Sequence, residues 1–345
     1  MNQEKKILIC GAFDFETFDT GGQPVKTREL YYGLCEELGS DNIDYIETIG
    51  WKKHPIKLFL RFLKKAKKSK SIIMLPAQKG VEIFSRLLVL SKRIYKNKIF
   101  YDVIGGWISD KLSKHKKLKN VLLKFDGIWV ETTIMKDALN KQGLDNIYVV
   151  RNFKNLKPVV NNIKIDDNSL KLCTFSRVIK IKGISDAIYV VTKLNKEGLD
   201  IKLDIYGHIS DDYVNEFEEL RKNFDEKIRY MGEANPSESV NILTKYNLLL
   251  FPTRYLGEGL PGTIIDAYFA GLPVLSAKWP SYKDIVIEGI TGIGFEMFNI
   301  KDLEDKLKYI YNNKYLLKEM SGNCLIKAQE FSKDKVVDQI INYLI

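Results

Sequence analysis

Short apolar runs of strand length recur along this chain, most of them followed by a helix-like stretch, and that alternation leaves few folds open. KKILIC (5–10) reads as a buried strand, and a helix over about 25–38 follows it after a loop. NIDYIETI, SIIMLP, KIFYDV, GIWVE and NIYVVRN are further strands, with helical stretches between most of them. This is the βαβ rhythm of a parallel, doubly wound sheet. NFKNLKPVVNNIKIDDNS (152–169) interrupts it with Asn, Asp and Pro and reads as a linker. The rhythm then restarts: LKLCTFS, a helix over about 184–196, IKLDIYG, a helix over about 211–223, KIRYMGE and a helix over about 236–245. NLLLFPT, a helix after Pro261, PVLSA and GIGFE come next, and helices fill the chain from 301 to its end.

A length of 345 residues fits two domains of about 150 each. The expectation is an α/β protein of two Rossmann-like domains with parallel sheets, 1–155 and 156–325, the helix about 326–345 packing back on the first. Open α/β sheets bind ligands beyond the carboxyl ends of their strands, which puts the site in the cleft between the domains.

No run reaches about 18 uncharged apolar residues, and MNQEKKILIC leads into a strand with no long apolar signal region, so a cytoplasmic product is expected. Cys10, Cys35, Cys173 and Cys324 are far apart with no Cys-x-x-Cys pair, which suits reduced thiols. His54, His115 and His208 form no ligand cluster, so no metal is expected; His54 and His115 sit among lysines and read as solvated. The net charge of +10 is uneven. Residues 1–160 hold 30 Lys/Arg against 17 Asp/Glu, and the remainder holds 24 against 27. Any anionic surface this chain meets, it meets with its N-terminal half.

Two acids stand out in GEGLPGTIIDAYFAGLPVL (257–275). Glu258 lies in a Gly-rich loop after the NLLLFPT strand, and Asp266 interrupts an apolar helix. Pro261 suits the first helical position, and Gly271 a left-handed C-terminal cap. A carboxylate on the apolar side of a helix costs desolvation unless something binds it. Both acids fall near the helix start, where the backbone N–H groups of Gly262 and Thr263 favour anions. Acids also cap helices with no further role.

The stretch EGLPGTIIDAYFAGLPVLSA resembles the signature of glycosyltransferase family 4, retaining enzymes of the GT-B fold: an acid, seven residues, a second acid, then Gly-x-Pro-Val. Asp266 departs from the commoner Glu and is one methylene shorter. The resemblance implies that Glu258 binds donor-sugar hydroxyls and Asp266 the ribose of a nucleotide sugar, with Gly259, Leu260, Pro261 and Gly262 in the same loop. Ionised carboxylates accept both hydrogen bonds of a vicinal diol. FSRVIKIKGI resembles the family's Arg-x-x-x-x-Lys-Gly donor-phosphate motif and gives Arg177 and Lys182. Two fixed cations can stabilise a departing diphosphate without a metal.

In the same family a Gly pair after the first strand approaches the donor; here it is Gly21 and Gly22, without the spacing of a dinucleotide fingerprint. Relatives carry a sugar-contacting His near YDVIGGWISD, where this chain offers Asp102 and Trp107, the latter able to stack on an acceptor or simply to pack. His208 in IYGH falls where relatives have a Gly-rich loop near the donor. The resemblance is specific over about 170–295 and general over the N-terminal half.

KKHPIKLFLRFLKKAKKSK (52–70) holds nine Lys/Arg and no acid. On a helical wheel Ile56, Leu58, Phe59, Leu60, Phe62, Leu63 and Ala66 fill one arc, and Lys57, Arg61, Lys64, Lys65 and Lys68 the opposite one, with Lys67 the exception. That pattern fits either a core-facing helix with a solvated basic side or a helix lying on an anionic membrane surface; KLSKHKKLKN (111–120) extends the basic patch. No nucleic-acid motif accompanies it, so no nucleic acid is expected.

The function implied is a hexosyl-type glycosyltransferase with a nucleotide diphosphate sugar as donor, no cofactor, and a saccharide, lipid-linked acceptor, working with retention in capsule, exopolysaccharide or O-antigen assembly. Its place is the cytoplasm, peripheral at the membrane. An epimerase of nucleotide sugars on the same fold, or a non-catalytic membrane- or polysaccharide-binding protein, are the alternatives.

Overall fold

The computed structural model describes residues 6–17, 21–76, 78–160 and 168–344. It divides into two compact units, 1–155 together with 331–345, and 156–330. Residues 161–167 of the expected linker lie outside the described residues.

The first unit runs β1 (Lys6–Gly11), α1 (Gly22–Leu38), β2 (Ile43–Glu47), α2 (Pro55–Ala66), β3 (Ser69–Leu75), α3 (Val81–Tyr95) and β4 (Lys98–Asp102). It continues with α4 (Ile108–Lys114), α5 (Lys116–Leu122), β5 (Gly127–Val130), α6 (Thr133–Asn140) and β6 (Ile147–Val149). All six strands are parallel, in the order β2-β1-β3-β4-β5-β6. The central strands are buried on both faces because helices cover both, while the edge strands β2 and β6 are only partly buried. One face packs Leu8, Ile72, Met74, Ile99 and Tyr101 against Phe62, Phe84 and Leu88. The other packs Ile7, Ile9, Ile73 and Phe100 against Leu30, Leu34 and, from the far end of the chain, Val337 and Ile340.

The second unit runs β7 (Leu170–Phe175), α7 (Ile184–Lys196), β8 (Ile201–Tyr206), α8 (Val214–Arg221), β9 (Ile228–Gly232) and α9 (Ser239–Leu243). β10 (Leu248–Phe251), α10 (Gly262–Phe269), β11 (Val274–Ala277), β12 (Gly292–Phe295), α11 (Ile300–Asn312) and α12 (Leu316–Ala328) complete it. Its sheet is also parallel, in the order β12-β11-β10-β7-β8-β9. α13 (Lys333–Leu344) then belongs to the first unit, where the Lys333 ammonium lies 2.9 Å from Glu36 and 3.1 Å from Glu37 of α1.

The two Rossmann-like sheets carry the α/β order expected. Several boundaries moved. α1 begins at Gly22 rather than about 25, so Gly22 is helical and Gly21 precedes the helix. Pro261 is extended, with ψ 123°, and α10 starts one residue later; the fixed φ of proline suits an approach to a helix as well as its first turn. Gly271 does take the left-handed conformation past α10, with φ 61°.

Strand order in the second unit reverses direction between β7 and β10, the place where open α/β sheets form their crevice. The ladder there covers only two residue pairs, Leu248 with Leu172 and Leu249 with Cys173, and stops short of both carboxyl ends. The loops leaving β7 and β10 then meet. Gly183 sits in the left-handed region (φ 67°), and a Cβ there would lie 2.0 Å from the Pro252 carbonyl oxygen. Gly183→Ala is therefore expected to cost about 2–5 kcal/mol, from left-handed strain plus overpacking. Urea unfolding followed by far-UV circular dichroism measures it, and a variant as stable as the parent contradicts the close crossing.

Candidate functional site

The loop after β7 and the loop after β10 carry the charges singled out in the sequence. Lys182 forms an ion pair with Glu258 Oε1, and the same oxygen accepts a hydrogen bond of 2.8 Å from Thr253 Oγ1. The Lys182 ammonium also lies 5.3 Å from the Phe251 ring, over the end of β10. Both side chains are largely buried, so their charges attract through less water than a surface pair would. Arg177 lies on the same edge, two residues past β7; it is exposed, and its guanidinium makes no hydrogen bond or ion pair among the described residues.

Asp266 is buried on α10, one turn in from the helix start. Gly259, Leu260 and Pro261 form the approach to that helix, and Gly262 is its first residue. The Thr263 hydroxyl, in the first turn, is buried with no hydrogen-bond partner among the described residues. His208 follows β8, where its carbonyl accepts from Val178 N at 2.8 Å and so lies next to Arg177 along the edge. Its ring is exposed, with Nδ1 2.8 Å from Glu233.

Three residues that hold this arrangement were missed in the sequence. Arg254 Nε donates to Asp186 Oδ2 at 2.8 Å, its second nitrogen bonds the other oxygen, and Arg254 N donates to the Ile181 carbonyl at 2.8 Å. This bidentate clamp ties the β10 loop to the start of α7, four residues from Glu258 and four from Lys182. With Thr253, it fixes where the two charges stand. Only a 68-residue separation in sequence hid the pair.

In the first unit the loop after β1 lies beside that sheet's own reversal point, between β1 and β3. Gly21 borders α1 there, and residues 18–20 of the loop lie outside the described residues. Asp102, at the end of β4, is buried and takes an ion pair of 2.8 Å from Lys26 of α1; Lys26 also lies 3.1 Å from Glu131, just past β5. Burial pushes the Asp102 carboxyl above the usual carboxylate range despite the ammonium beside it. Burial also opposes the Lys26 charge, yet the two carboxylates hold that ammonium above its ordinary value. Trp107 is half-buried against the core, donates its indole N–H to the Ile104 carbonyl at 2.8 Å, and has Lys111 5.9 Å from its ring. Among the described residues no three His, Cys, Asp or Glu side chains converge as metal ligands.

Residues 159–326, which contain Arg177, Lys182, Glu258 and Asp266, match the family described as glycosyl transferases group 1. Over 226 residues the chain is 24% identical to a poly(ribitol-phosphate) alpha-N-acetylglucosaminyltransferase of Staphylococcus aureus, covering 64% of this chain and 44% of that protein. Over 155 residues it is 24% identical to the capsular polysaccharide biosynthesis glycosyltransferase CapM of S. aureus, covering 43% of this chain and 38% of CapM. The chain thus spans less than half the length of both relatives. Among solved structures, Anabaena HepE in complex with UDP and glucose superposes with a TM-score of 0.77 at 14% identity, over 99% of each chain. TarM superposes with a TM-score of 0.65 at 20% identity, over 83% of this chain and 57% of TarM. The fold is GT-B, and the matched segment is a glycosyltransferase domain.

Removing one partner of a buried ion pair strands the other charge, at about 3–5 kcal/mol. Lys26→Met is expected to lose that much stability near neutral pH, and adding Glu131→Gln to recover part of it. A carboxyl whose folded pKa is raised favours folding where it is protonated, so the single variant should regain stability as pH falls toward its raised pKa. Denaturant midpoints across pH test this, and a flat profile with no loss refutes it.

Proposed function

We propose that this chain transfers a sugar from a nucleoside diphosphate sugar to a saccharide acceptor, with retention of configuration, in assembly of a cell-surface polysaccharide. The observation that carries the reading is the meeting of Lys182 and Glu258, with the exposed Arg177 on the same sheet edge, at the strand-order reversal of a segment that matches group 1 glycosyl transferases. The names of the relatives add support, since one acts on poly(ribitol-phosphate) and another serves capsular polysaccharide biosynthesis. HepE, which binds UDP and glucose, supports a nucleotide-sugar donor.

In this reading Arg177 and Lys182 take the diphosphate. Breaking the bond between sugar and diphosphate builds negative charge on the leaving oxygen, and two placed cations stabilise it with no need of a metal. Lys182 and Glu258 neutralise one another in this structure, so a donor using both must come between them. Its phosphate oxygens then take the ammonium, and its sugar hydroxyls take the carboxylate. Asp266 is assigned the ribose, and the α10 start, with Gly262 and the Thr263 hydroxyl, the phosphate side. Gly21, Gly22, Asp102, Trp107 and His208 are assigned to sugar and acceptor recognition. The acceptor is lipid-linked, and the basic N-terminal half brings the enzyme to the anionic inner face of the membrane.

Arg177→Ala should lower kcat/KM about ten- to a hundredfold, the effect of losing a hydrogen bond to a charged group worth about 1.5–3 kcal/mol. Because the Arg177 guanidinium has no protein partner among the described residues, the variant's melting temperature should not move. Lys182→Ala should lose activity similarly and melt lower, since Glu258 loses its counter-charge. Turnover unchanged in both variants refutes the phosphate assignment. A thermal-shift panel of nucleotide sugars identifies the donor, because the bound one stabilises by mass action.

A further inference from the structure

The apolar arc of α2 is wider than the core it covers. At 100° per residue its apolar positions span roughly 200°, but only Phe62 and Ala66, in the middle of that arc, are buried. Leu58 and Leu63 pack partly beside them. Ile56 and Leu60, one turn apart at the edge of the arc, are left 75% and 61% exposed, and Ile49 ahead of the helix is 53% exposed. Scattered exposed aliphatics are ordinary, but Ile56 and Leu60 stand in a row along one helix face.

The charges around them are of one sign. No acid occurs from Thr48 to Val81, while Lys52, Lys53, Lys57, Arg61 and Lys64 are exposed and make no ion pair with the described residues. Lys65, by contrast, is tied to Asp44 and lies over the Tyr45 ring, fixing the helix to β2. Lys57, Arg61 and Lys64 fall on the helix face directly beside Ile56 and Leu60. Nucleic acid or an acidic protein surface could use the cations but gains little from two protruding aliphatic side chains. An anionic bilayer uses both, taking the aliphatics below the headgroups and the cations at their phosphates.

We propose that α2 lies along an anionic lipid bilayer with Ile56 and Leu60 inserted, so that the chain is seated by a short apolar wedge as well as drawn by charge. The inference rests on the membrane part of the function proposed above and adds a mode of contact to it. Long cationic side chains ringing the wedge let it enter while their heads stay in the interface.

Vesicle flotation of the full chain tests it, using phosphatidylcholine alone and phosphatidylcholine with about a third phosphatidylglycerol. The expected result is binding to the anionic vesicles that partly survives salt of about 0.5 M, where surface charge is strongly screened. Ile56→Ser with Leu60→Ser should weaken binding roughly tenfold or more, and make what remains fully salt-sensitive. Lys57→Glu with Arg61→Glu and Lys64→Glu should abolish it. Melting temperatures within about 2 °C of the parent establish folding, since all five positions are exposed. Serine variants that bind as the parent does overturn the wedge and leave attraction by charge alone. A parent chain that ignores anionic vesicles overturns both the wedge and the membrane assignment, while sugar transfer to a soluble acceptor is measured separately.

Discussion

The crossing of two loops at one sheet edge governs the second unit. Parallel strands force every connection to return over the sheet, so the segments leaving β7 and β10 come out side by side where the order reverses. Gly183 lets them touch backbone to backbone, and the Arg254–Asp186 clamp holds them there. Lys182 and Glu258 meet as a consequence. A largely buried ion pair of this kind is poor evidence of stabilisation, because desolvation consumes much of its Coulomb energy. What it retains is a cation and a carboxylate at fixed positions, the one able to take an anionic ligand oxygen and the other able to accept hydrogen bonds from ligand hydroxyls.

Much of the architecture is legible in the sequence for the same topological reason. Strands covered on both faces are apolar over most of their length, so LKLCTF, LLLF and SIIML announce themselves, and a helix between most successive strands suits parallel sheets. Boundaries were less legible. Pro261 satisfies the geometry just before a helix as readily as inside it, and only the backbone shows which. The motif positions Arg177, Lys182, Glu258 and Asp266 are visible because each pair is close in sequence, within one loop or across a loop and the helix that follows it. The residues that hold them are not. Arg254 looks like any loop arginine, and Asp186 like a helix N-terminal acid, until the fold brings them together across 68 positions.

The first unit shows the same limit more sharply. Lys26 reads as one more cation on a chain rich in lysine, yet it is among the most buried, bridging Asp102 and Glu131 from 76 and 105 residues away. Its neighbours in sequence carry no sign of this. The basic stretch 52–70 was legible as an amphipathic helix, but a wheel assigns an arc without saying how much of it the core will take. The core took the middle, and Ile56 and Leu60 stayed outside. Of the many lysines in this half, one is thus a buried strut and several form an unpaired surface, a distinction that composition cannot draw.

The shorter acid at 266 sets a constraint that the rest of the unit does not relax. α10 cannot slide forward to make up one methylene, about 1.5 Å of reach. Its Tyr268 hydroxyl is fixed to the Ile285 carbonyl and Thr291 Oγ1, each at 3.0 Å, and the left-handed turn at Gly271 packs against Ser321 and Leu325 of α12. In the role proposed for Asp266, the ligand must therefore supply the missing reach, with the ribose lying closer to α10 than a glutamate would require. The diphosphate is tethered to that ribose and must still reach Arg177 and Lys182. Pulling one end of the donor inward turns the other, so the choice of Asp over Glu bears on how the sugar is presented as well as on how the nucleoside is held.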